Sequence, residues 1–436
     1  MKIVIVGGGA GGLELATKLG NTLGRKSKAD VLLLDRNHSH IWKPLLHEVA
    51  SGSLNADVDA VSYRAHAHKN HFRFKLGTLC GLDRAQKTLQ LEALHDEEGE
   101  EILPAREESY DLLVMAIGSV SNDFGVAGIA DHCIFLDSPD QARHFHRHLV
   151  NRFIRLNRDL REGDHERRLK VAIVGAGATG VELSAELFKA REWFATYGLN
   201  NIRSEHLQVS LIEAGPRILP ALAERISDAA RDELSKLGVN VRTETIVQRA
   251  EHQQLVTKDG ENIDADLMVW AAGVKAPEFL TQLDGLETNR ANQLLVSPTL
   301  QVKDTEDIFA LGDCAGCPMK GPNGEDRWVP PRAQSAHQMA SLVGDNILRL
   351  LDDKPLQPFV YKDRGSLISL SHYTAVGKLM GGLARGSLNV EGRIARMAYV
   401  SLYRMHQLAL HGWTRTVLMT LTDKINLIIR PRLKLH

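Results

Sequence analysis

Two stretches of this chain share one plan, and they limit its fold more than anything else in it. KIVIVGGGAGG runs from Lys2 to Gly12, and KVAIVGAGATG runs from Lys170 to Gly180. Each is an apolar run suited to a buried parallel strand, then glycines at G-x-G-x-x-G spacing, then a helical pattern. The glycines are Gly7, Gly9 and Gly12 in the first copy and Gly175, Gly177 and Gly180 in the second. One glycine permits the tight turn and one lets backbone approach a pyrophosphate. The third lets helix pack on strand, with the phosphate at the helix N-terminus. A lone fingerprint is weak evidence, but here each is followed by a second strand ending in an acid, Val31–Asp35 and Leu207–Glu213. Asp35 lies 23 residues beyond Gly12, near the spacing of a carboxylate that accepts from a ribose hydroxyl. The interval to Glu213 is longer, so the second helix is extended or carries an insertion around Tyr197–Ser204. An acid at that position favours NAD(H) over NADP(H), with Arg217 four residues on as a residue able to blur the preference. Two copies imply two dinucleotides and chemistry between them.

At 436 residues the chain has room for two or three folding units. A net charge of −1 excludes a general polyanion binder, so no nucleic-acid partner is expected. The charge is uneven, however: Glu391–His436 carries +6 and the remainder −7, the mark of a surface-seeking tail. Four cysteines, Cys80, Cys133, Cys314 and Cys317, form no disulfide framework and favour a reducing compartment. The first strand begins at residue 2, so no leader is expected, and no apolar run approaches the length of a membrane span.

Taken in order, HIWKPLLHEVASGS (His40–Ser53) predicts a short helix starting just after Lys43, with Pro44 at its head and Gly52 at its stop. Trp42 and Lys43 then sit on the loop feeding it, either near a ligand or simply packed and solvated, respectively. Phe72–Leu91 reads as strands, and YDLLVMAIGS (Tyr110–Ser119) as a buried strand ending in a glycine turn. Pro139–Arg168 reads as an exposed, charged helical linker. Val239–Val269 has the alternation of a small antiparallel sheet, and ADLMVWAAGV (Ala265–Val274) repeats the earlier glycine-ended strand. TEDIFALGD (Thr305–Asp313) then brings a strand to a Gly-Asp corner. The economical topology is a first domain interrupted by the second, with the chain returning to finish the first.

Other residues admit two readings. Pro330-Pro331 ahead of Arg332 predicts a rigid lead-in to a helix, whose N-terminus stabilises negative charge. Gln334 and Gln338 share one face of that helix, able to donate to a carbonyl or simply solvated. Glu182, in a first helical turn, is favourable against the dipole whatever else it does. Cys314-x-x-Cys317 lacks the further ligands a zinc site needs, and His144, His146 and His148 look solvated on a charged helix, so no metal is expected.

In the tail, Arg393, Arg396, Arg404, Gln407 and His411 line one helical face, with Ile394, Ala398, Leu402, Met405 and Leu408 around the other. After Gly412 a second stripe gathers Val417, Leu418, Leu421, Ile425 and Ile428 until Pro431. With Tyr403 and Trp413 as amphipathic anchors, the pair suits helices lying in a lipid headgroup region, or else docking on another copy.

The combination resembles the two-dinucleotide-binding-domain flavoproteins: GGGAGG, GAGATG, a glycine-ended strand after each, and FALGDCAG at Phe309–Gly316. Within them the whole chain is most similar to the type II NADH:quinone oxidoreductases of the bacterial ubiquinone-reducing kind. NHSHIWKPLLHEVASGSL (Asn37–Leu54), GATGVELSAEL (Gly177–Leu187), VPPRAQSAHQMA (Val329–Ala340) and the ending RPRLKLH carry that likeness. The resemblance implies an α/β fold of two Rossmann-like domains, the NADH domain (121–288) inserted in the FAD domain (1–120 and 289–382). Membrane-anchoring helices would occupy 383–436. It implies FAD contacts at Gly7, Gly8, Gly9, Ala10, Gly11, Gly12, Asp35, Arg36 and Lys43. Leu79, Gly118, Asp313, Ala333, Gln334 and Lys378 complete that set. NADH would meet Gly175, Gly177, Ala178, Thr179, Gly180, Glu182, Glu213 and Gly273, and quinone Gln334 and Gln338. Glu182, Gln334 and Lys378 are the implied catalytic set, Glu182 as the proton-handling carboxylate. The implied activity is electron transfer from NADH through non-covalent FAD to ubiquinone, without proton pumping, by a peripheral homodimer on the cytoplasmic face of the bacterial inner membrane. The competing reading is a soluble NADH-dependent flavoprotein reductase serving a thiol or protein acceptor.

Overall fold

The computed structural model describes residues 1–56, 60–196, 198–321, 324–370, 374–380, 387–391 and 403–429. The chain forms two compact units. One comprises Met1–Trp42, Ala60–Val120 and Val274–Lys362, the other Lys43–Asp59, Ser121–Gly273 and Asp363–His436.

The first unit is built on a parallel five-stranded sheet in the order Ile308–Ala310, Leu112–Met115, Lys2–Val6, Asp30–Asp35, Arg73–Leu76. Its central strands are apolar without alternation because both faces are covered; Ile3, Val4, Ile5, Leu113 and Val114 are fully buried. Lys2–Val6 has the strands that follow it on opposite sides, so the chain reverses at its carboxyl end, where open α/β sheets bind ligands. The Ala10–Thr22 helix leaves from that point and packs on the Ala333–Leu351 helix. An antiparallel meander of Leu79–Asp83, Thr88–Leu91 and Arg106–Ser109 completes the unit's sheets of three or more strands.

The second unit repeats the plan. Its parallel sheet runs Val239–Arg242, Leu207–Ile212, Leu169–Val174, Leu267–Trp270, again reversing at the fingerprint strand. Two readings of the sequence are corrected here. Val239–Arg242 belongs to the parallel sheet, and only Val247–Glu251, Gln254–Thr257 and Asn262–Asp264 form the antiparallel meander. Both kinds of strand are short and half-apolar, so alternation alone does not separate them. Nor is Pro139–Arg161 an exposed linker: Phe145, Leu149, Phe153 and Leu156 form a buried stripe, with Phe153 4.7 Å from the Phe194 ring. That helix starts sharply, since Ser138 Oγ accepts from the Gln141 amide at 3.2 Å and Gln141 Oε1 accepts from the Ser138 amide at 3.2 Å. It packs on the short Leu46–Ser51 helix, which also meets the long Ala178–Thr196 helix. That long helix, 19 residues against 13 in the first copy, takes up more than half of the extra interval ahead of Glu213.

A three-stranded antiparallel sheet, Gly365–Leu370, Thr374–Met380 and Ser387–Glu391, lies in the same unit. The terminal Trp413–Ile429 helix follows, with no helix among the described residues long and apolar enough to cross a membrane.

Candidate active site

The first cradle forms where the Lys2–Val6 strand turns into its helix. Gly7 has φ +104°, and a Cβ there would stand 2.3 Å from the Ala116 carbonyl oxygen; one at Gly12 would stand 1.9 Å from the Gly7 carbonyl oxygen. These two glycines are therefore dictated by the protein's own backbone. At Gly8 the obstacle is the Tyr63 ring, 2.4 Å from the position of such a Cβ, and the Tyr63 hydroxyl donates to the Gly8 carbonyl at 2.7 Å. At Gly11 it is the Leu311 side chain, 2.6 Å away. Gly9 is different: it is exposed, and no protein atom lies within 4 Å of a Cβ there. Open space beside amides at a helix N-terminus is what a pyrophosphate requires.

Asp35 closes this cradle. Its Oδ2 accepts from the Gly8 amide at 2.6 Å, and its Oδ1 accepts from the Asn37 amide at 2.7 Å and from Asn37 Nδ2 at 3.0 Å. Burial pushes the carboxyl up, against the pull of those hydrogen bonds. A carboxylate with two oxygens retains acceptor capacity for a ribose hydroxyl beyond these. Arg36 is exposed, and Leu79 is buried at the start of its strand.

At the other end, Asp313 lies in the tight turn Gly312–Cys314 after the Ile308–Ala310 strand. Its Oδ2 accepts from Ser119 Oγ at 2.7 Å, and its carbonyl accepts from Gln293 Nε2 at 2.9 Å. Gly118, next to Ser119, has φ +80° and open space on its Cβ side. Gln293 had no motif to mark it. The Ala333–Leu351 helix begins at Arg332 with no side-chain cap, so Ala333 and Gln334 stand in an uncapped first turn. Gln338 is a strut: its Nε2 donates to the Lys362 carbonyl at 2.9 Å and its Oε1 accepts from the Lys362 amide at 3.0 Å. Of the donors expected for a quinone carbonyl, it keeps one N–H.

The second cradle copies the first. Gly175 has φ +101°, and a Cβ on Gly180 would stand 2.0 Å from the Gly175 carbonyl oxygen. Gly177 faces open space, while Ala178 and Thr179 are exposed at the head of the long helix. Glu213 Oε2 accepts from the Ala176 amide at 2.8 Å and Oε1 from the Gly215 amide at 2.9 Å. Arg217 is held away from any such role: its guanidinium donates to the Leu222 and Pro220 carbonyls and to Ser227 Oγ, at 2.7 to 2.9 Å. Gly273 has φ +76°, with the Phe124 ring 2.8 Å from where a Cβ would sit. Glu182 is buried, with His47 Nδ1 3.5 Å from its Oε2.

Trp42 is buried. Lys43 pairs with Asp137, Nζ to Oδ1 3.3 Å, within the second unit. Lys378 occupies the middle strand of the late sheet, opposite Ser366 and Asn389 in register, and its side chain lies outside the described ones. Arg393, Ile394, Arg396, Ala398, Leu402 and the ending RPRLKLH also lie outside the described residues. Cys314 and Cys317 are buried free thiols, both pushed up to about 11 by burial.

Two glycine-turn cradles of one design, each closed by an acid, are what a two-dinucleotide oxidoreductase fold requires. Residues 1–340 match the pyridine nucleotide-disulphide oxidoreductase family. A type II NADH:quinone oxidoreductase of Haemophilus influenzae is 50% identical over 445 residues, covering 100% of this chain and 99% of that protein. Its counterpart in Staphylococcus aureus is 29% identical over 87% of this chain and 90% of its own. The chain belongs to the type II NADH:quinone oxidoreductases. In fold it is similar to NDH2 from Plasmodium falciparum in complex with NADH, with a TM-score of 0.81 at 20% identity and 99% coverage of both chains. It is similar as well to the sulfide:quinone oxidoreductase of Aquifex aeolicus, with a TM-score of 0.71 at 16% identity, covering 94% of this chain and 92% of that one.

Proposed function

We propose that this chain is a non-pumping respiratory NADH dehydrogenase that delivers two electrons from NADH to ubiquinone: NADH + H⁺ + quinone → NAD⁺ + quinol. NADH-driven quinone reduction with FAD as the flavin goes with membership of the family. The observation that carries the site assignment is the doubled cradle, in which Gly9 and Gly177 open to ligand space while Asp35 and Glu213 close the ribose side. FAD, when bound, supplies the two-electron chemistry that links a hydride donor to a quinone.

The protein's part is to bind, orient and move a proton. Gly7 to Gly12 hold the flavin dinucleotide's phosphates, with Asp35 on its ribose and Asp313, fixed by Ser119, on its ribitol chain. The same reading gives supporting FAD contacts to Arg36, Lys43, Leu79, Gly118, Ala333 and Lys378. Gly175 to Gly180 hold the NADH phosphates, Glu213 selects the free 2′-hydroxyl, and Gly273 admits the nicotinamide end. The uncapped first turn at Ala333 and Gln334 stabilises negative charge that develops beside it, and Gln334 donates to the quinone carbonyl. Glu182 supplies the proton. In this assignment 1–120 and 289–382 serve FAD, and 121–288 serve NADH.

Residues 383–436 hold the enzyme to the membrane. Along the Trp413–Ile429 helix, Trp413, Val417, Leu418, Leu421 and Ile425 form an exposed apolar stripe, with Trp413 69% and Leu418 62% accessible. A peripheral homodimer on the cytoplasmic face of the bacterial inner membrane is the arrangement we infer from that stripe and the basic tail. Reduction of a thiol acceptor is not favoured, because the buried Cys314 and Cys317 are held as thiols, not thiolates.

Anaerobic mixing with NADH tests the whole reading. Rapid bleaching of the flavin band, then recovery on adding short-chain ubiquinone, is the expected result. Bleaching without recovery would overturn the quinone assignment.

A further inference from the structure

Four titratable side chains from two helices meet inside the second unit. Glu182, Glu186 and Lys189 follow one another at helical spacing along the Ala178–Thr196 helix, and His47 lies across from them on the Leu46–Ser51 helix. Their exposures are 5%, 4%, 8% and 2%. They divide into two pairs of different character. Lys189 Nζ stands 3.1 Å from both oxygens of Glu186, and Ser53 Oγ donates to Glu186 Oε2 at 2.6 Å. Burial alone would push the Glu186 carboxyl up, but the Lys189 charge and the Ser53 hydroxyl outweigh it and hold the group below its usual range. Glu186 is thus a fixed anion with its own counter-ion, and it takes no proton.

The other pair is His47 Nδ1 and Glu182 Oε2, 3.5 Å apart. Burial pushes the imidazole down to about 4 despite the Glu186 charge, so the ring is neutral at ordinary pH. A neutral imidazole carries one N–H and one lone pair, and with the N–H on Nε2 the nitrogen that faces Glu182, Nδ1, is the one with the lone pair. What the ring can offer Glu182 is a lone pair.

Among the described side chains, the packed elements bring few charges to the ring beyond Glu182. Glu186 and Lys189 are the charges that act on it. The Pro139–Arg161 helix brings His146, whose Nδ1 is 3.3 Å from the Ala50 carbonyl, and Lys43 is held by Asp137. Glu48 is on the same short helix as His47. The Gly365–Leu370 strand contributes buried Ile368 and Leu370, and the Glu224–Leu237 helix buries Ile226, Ser227, Ala230 and Leu234.

We propose that His47 is a positioning residue that accepts a hydrogen bond from the protonated Glu182 carboxyl and so keeps on Glu182 the proton that quinone reduction consumes. This rests on the reading of Glu182 as the proton-handling carboxylate. In each turnover the Glu182 O–H bond breaks and the proton passes to the reduced acceptor. The carboxylate left behind is re-protonated from water, and His47 favours that re-protonation. The Glu186–Lys189 pair prevents a rival carboxyl from taking the proton.

His47→Gln in the full-length, FAD-loaded enzyme tests this. A glutamine amide can present either its N–H to the carboxylate or its oxygen to the acid, so it withdraws the one-sided preference for the acid that the imidazole lone pair gives. Two readouts are followed against pH: the rate of flavin reoxidation by short-chain ubiquinone, and the infrared band of a protonated carboxyl that Glu182→Gln removes. In H47Q both move to lower pH by about one unit, roughly a tenfold loss of rate on the alkaline limb. Flavin reduction by NADH, which draws no proton from this pair, stays within about twofold. Should H47Q fold poorly, Glu182→Asp gives the same shift, because it keeps the carboxyl and withdraws it from His47. An unshifted limb and band in these variants overturn the role of His47. If E182Q keeps the wild-type alkaline limb, the reading of Glu182 itself falls, which is a separate and distinguishable failure.

Discussion

The glycines of the first cradle look alike in sequence and are not alike in the fold. A Cβ on Gly12 runs into the Gly7 carbonyl oxygen at 1.9 Å, whereas one on Gly9 meets no protein atom within 4 Å. Gly9→Ala is therefore expected to fold with an unchanged melting temperature in flavin-free protein, yet retain FAD roughly tenfold less tightly. Gly12→Ala is expected to lose folded protein outright, because backbone cannot yield as a flexible side chain can. Flavin content after gel filtration, set beside thermal melts of the apo forms, separates the two effects; equal melting temperatures in both variants would contradict the assignment. Asp35 was legible from its spacing and Glu213 from its place at the end of the strand that follows its fingerprint. Arg217 was not, because nothing local shows that its guanidinium is already bound by Pro220, Leu222 and Ser227. The same holds for Gln338, whose partner Lys362 is 24 residues away, and for His47 and Glu182, which meet only through helix packing.

Among the elements, those with a covered face on both sides read most clearly, as the uniform apolar runs of Lys2–Val6 and Leu112–Met115 show. Short half-apolar strands did not, and Val239–Arg242 is the example. The Pro139–Arg161 helix was mistaken for a linker because its many charges hide a stripe of Phe145, Leu149, Phe153 and Leu156 that a strict 3.6-residue count brings out. The same count gives the Trp413–Ile429 helix its exposed stripe, and there the consequence can be measured. Leu418→Glu with Leu421→Glu should lower binding to vesicles containing anionic lipid by tenfold or more, at about 1.5 kcal/mol or greater per leucine lost from an apolar contact. Flavin content and NADH oxidation with a soluble dye should be unchanged. Undiminished vesicle binding would show that this helix is not the membrane contact.

For the molecule as a whole, the buried titratable groups of the second unit set its behaviour in acid. His47 is held at about 4 in the folded state against about 6.5 when unfolded, and Glu186 is held below its ordinary value. Both groups bind protons more readily in the unfolded chain. The contribution of His47 is therefore complete above about pH 6.5 and is lost as pH falls toward 4, while that of Glu186 is lost only below the ordinary carboxylate range. For His47 alone the span corresponds to about 3 kcal/mol. Thermal melts of the holoenzyme should fall steeply between pH 6.5 and 4, with a shallower fall in His47→Gln; parallel curves for the two proteins would show that the histidine does not titrate this way.

The Tyr63 ring under Gly8 bears on how such sequences diverge. Fifty-five residues separate the two in the chain, yet the ring fills the space a side chain at residue 8 would need, and its hydroxyl holds the turn's carbonyl. The two positions are thus sterically coupled and are expected to change together. A lineage that acquires alanine at residue 8 must first trade the tyrosine for something smaller, and restoring the tyrosine afterwards is closed to it until the glycine returns.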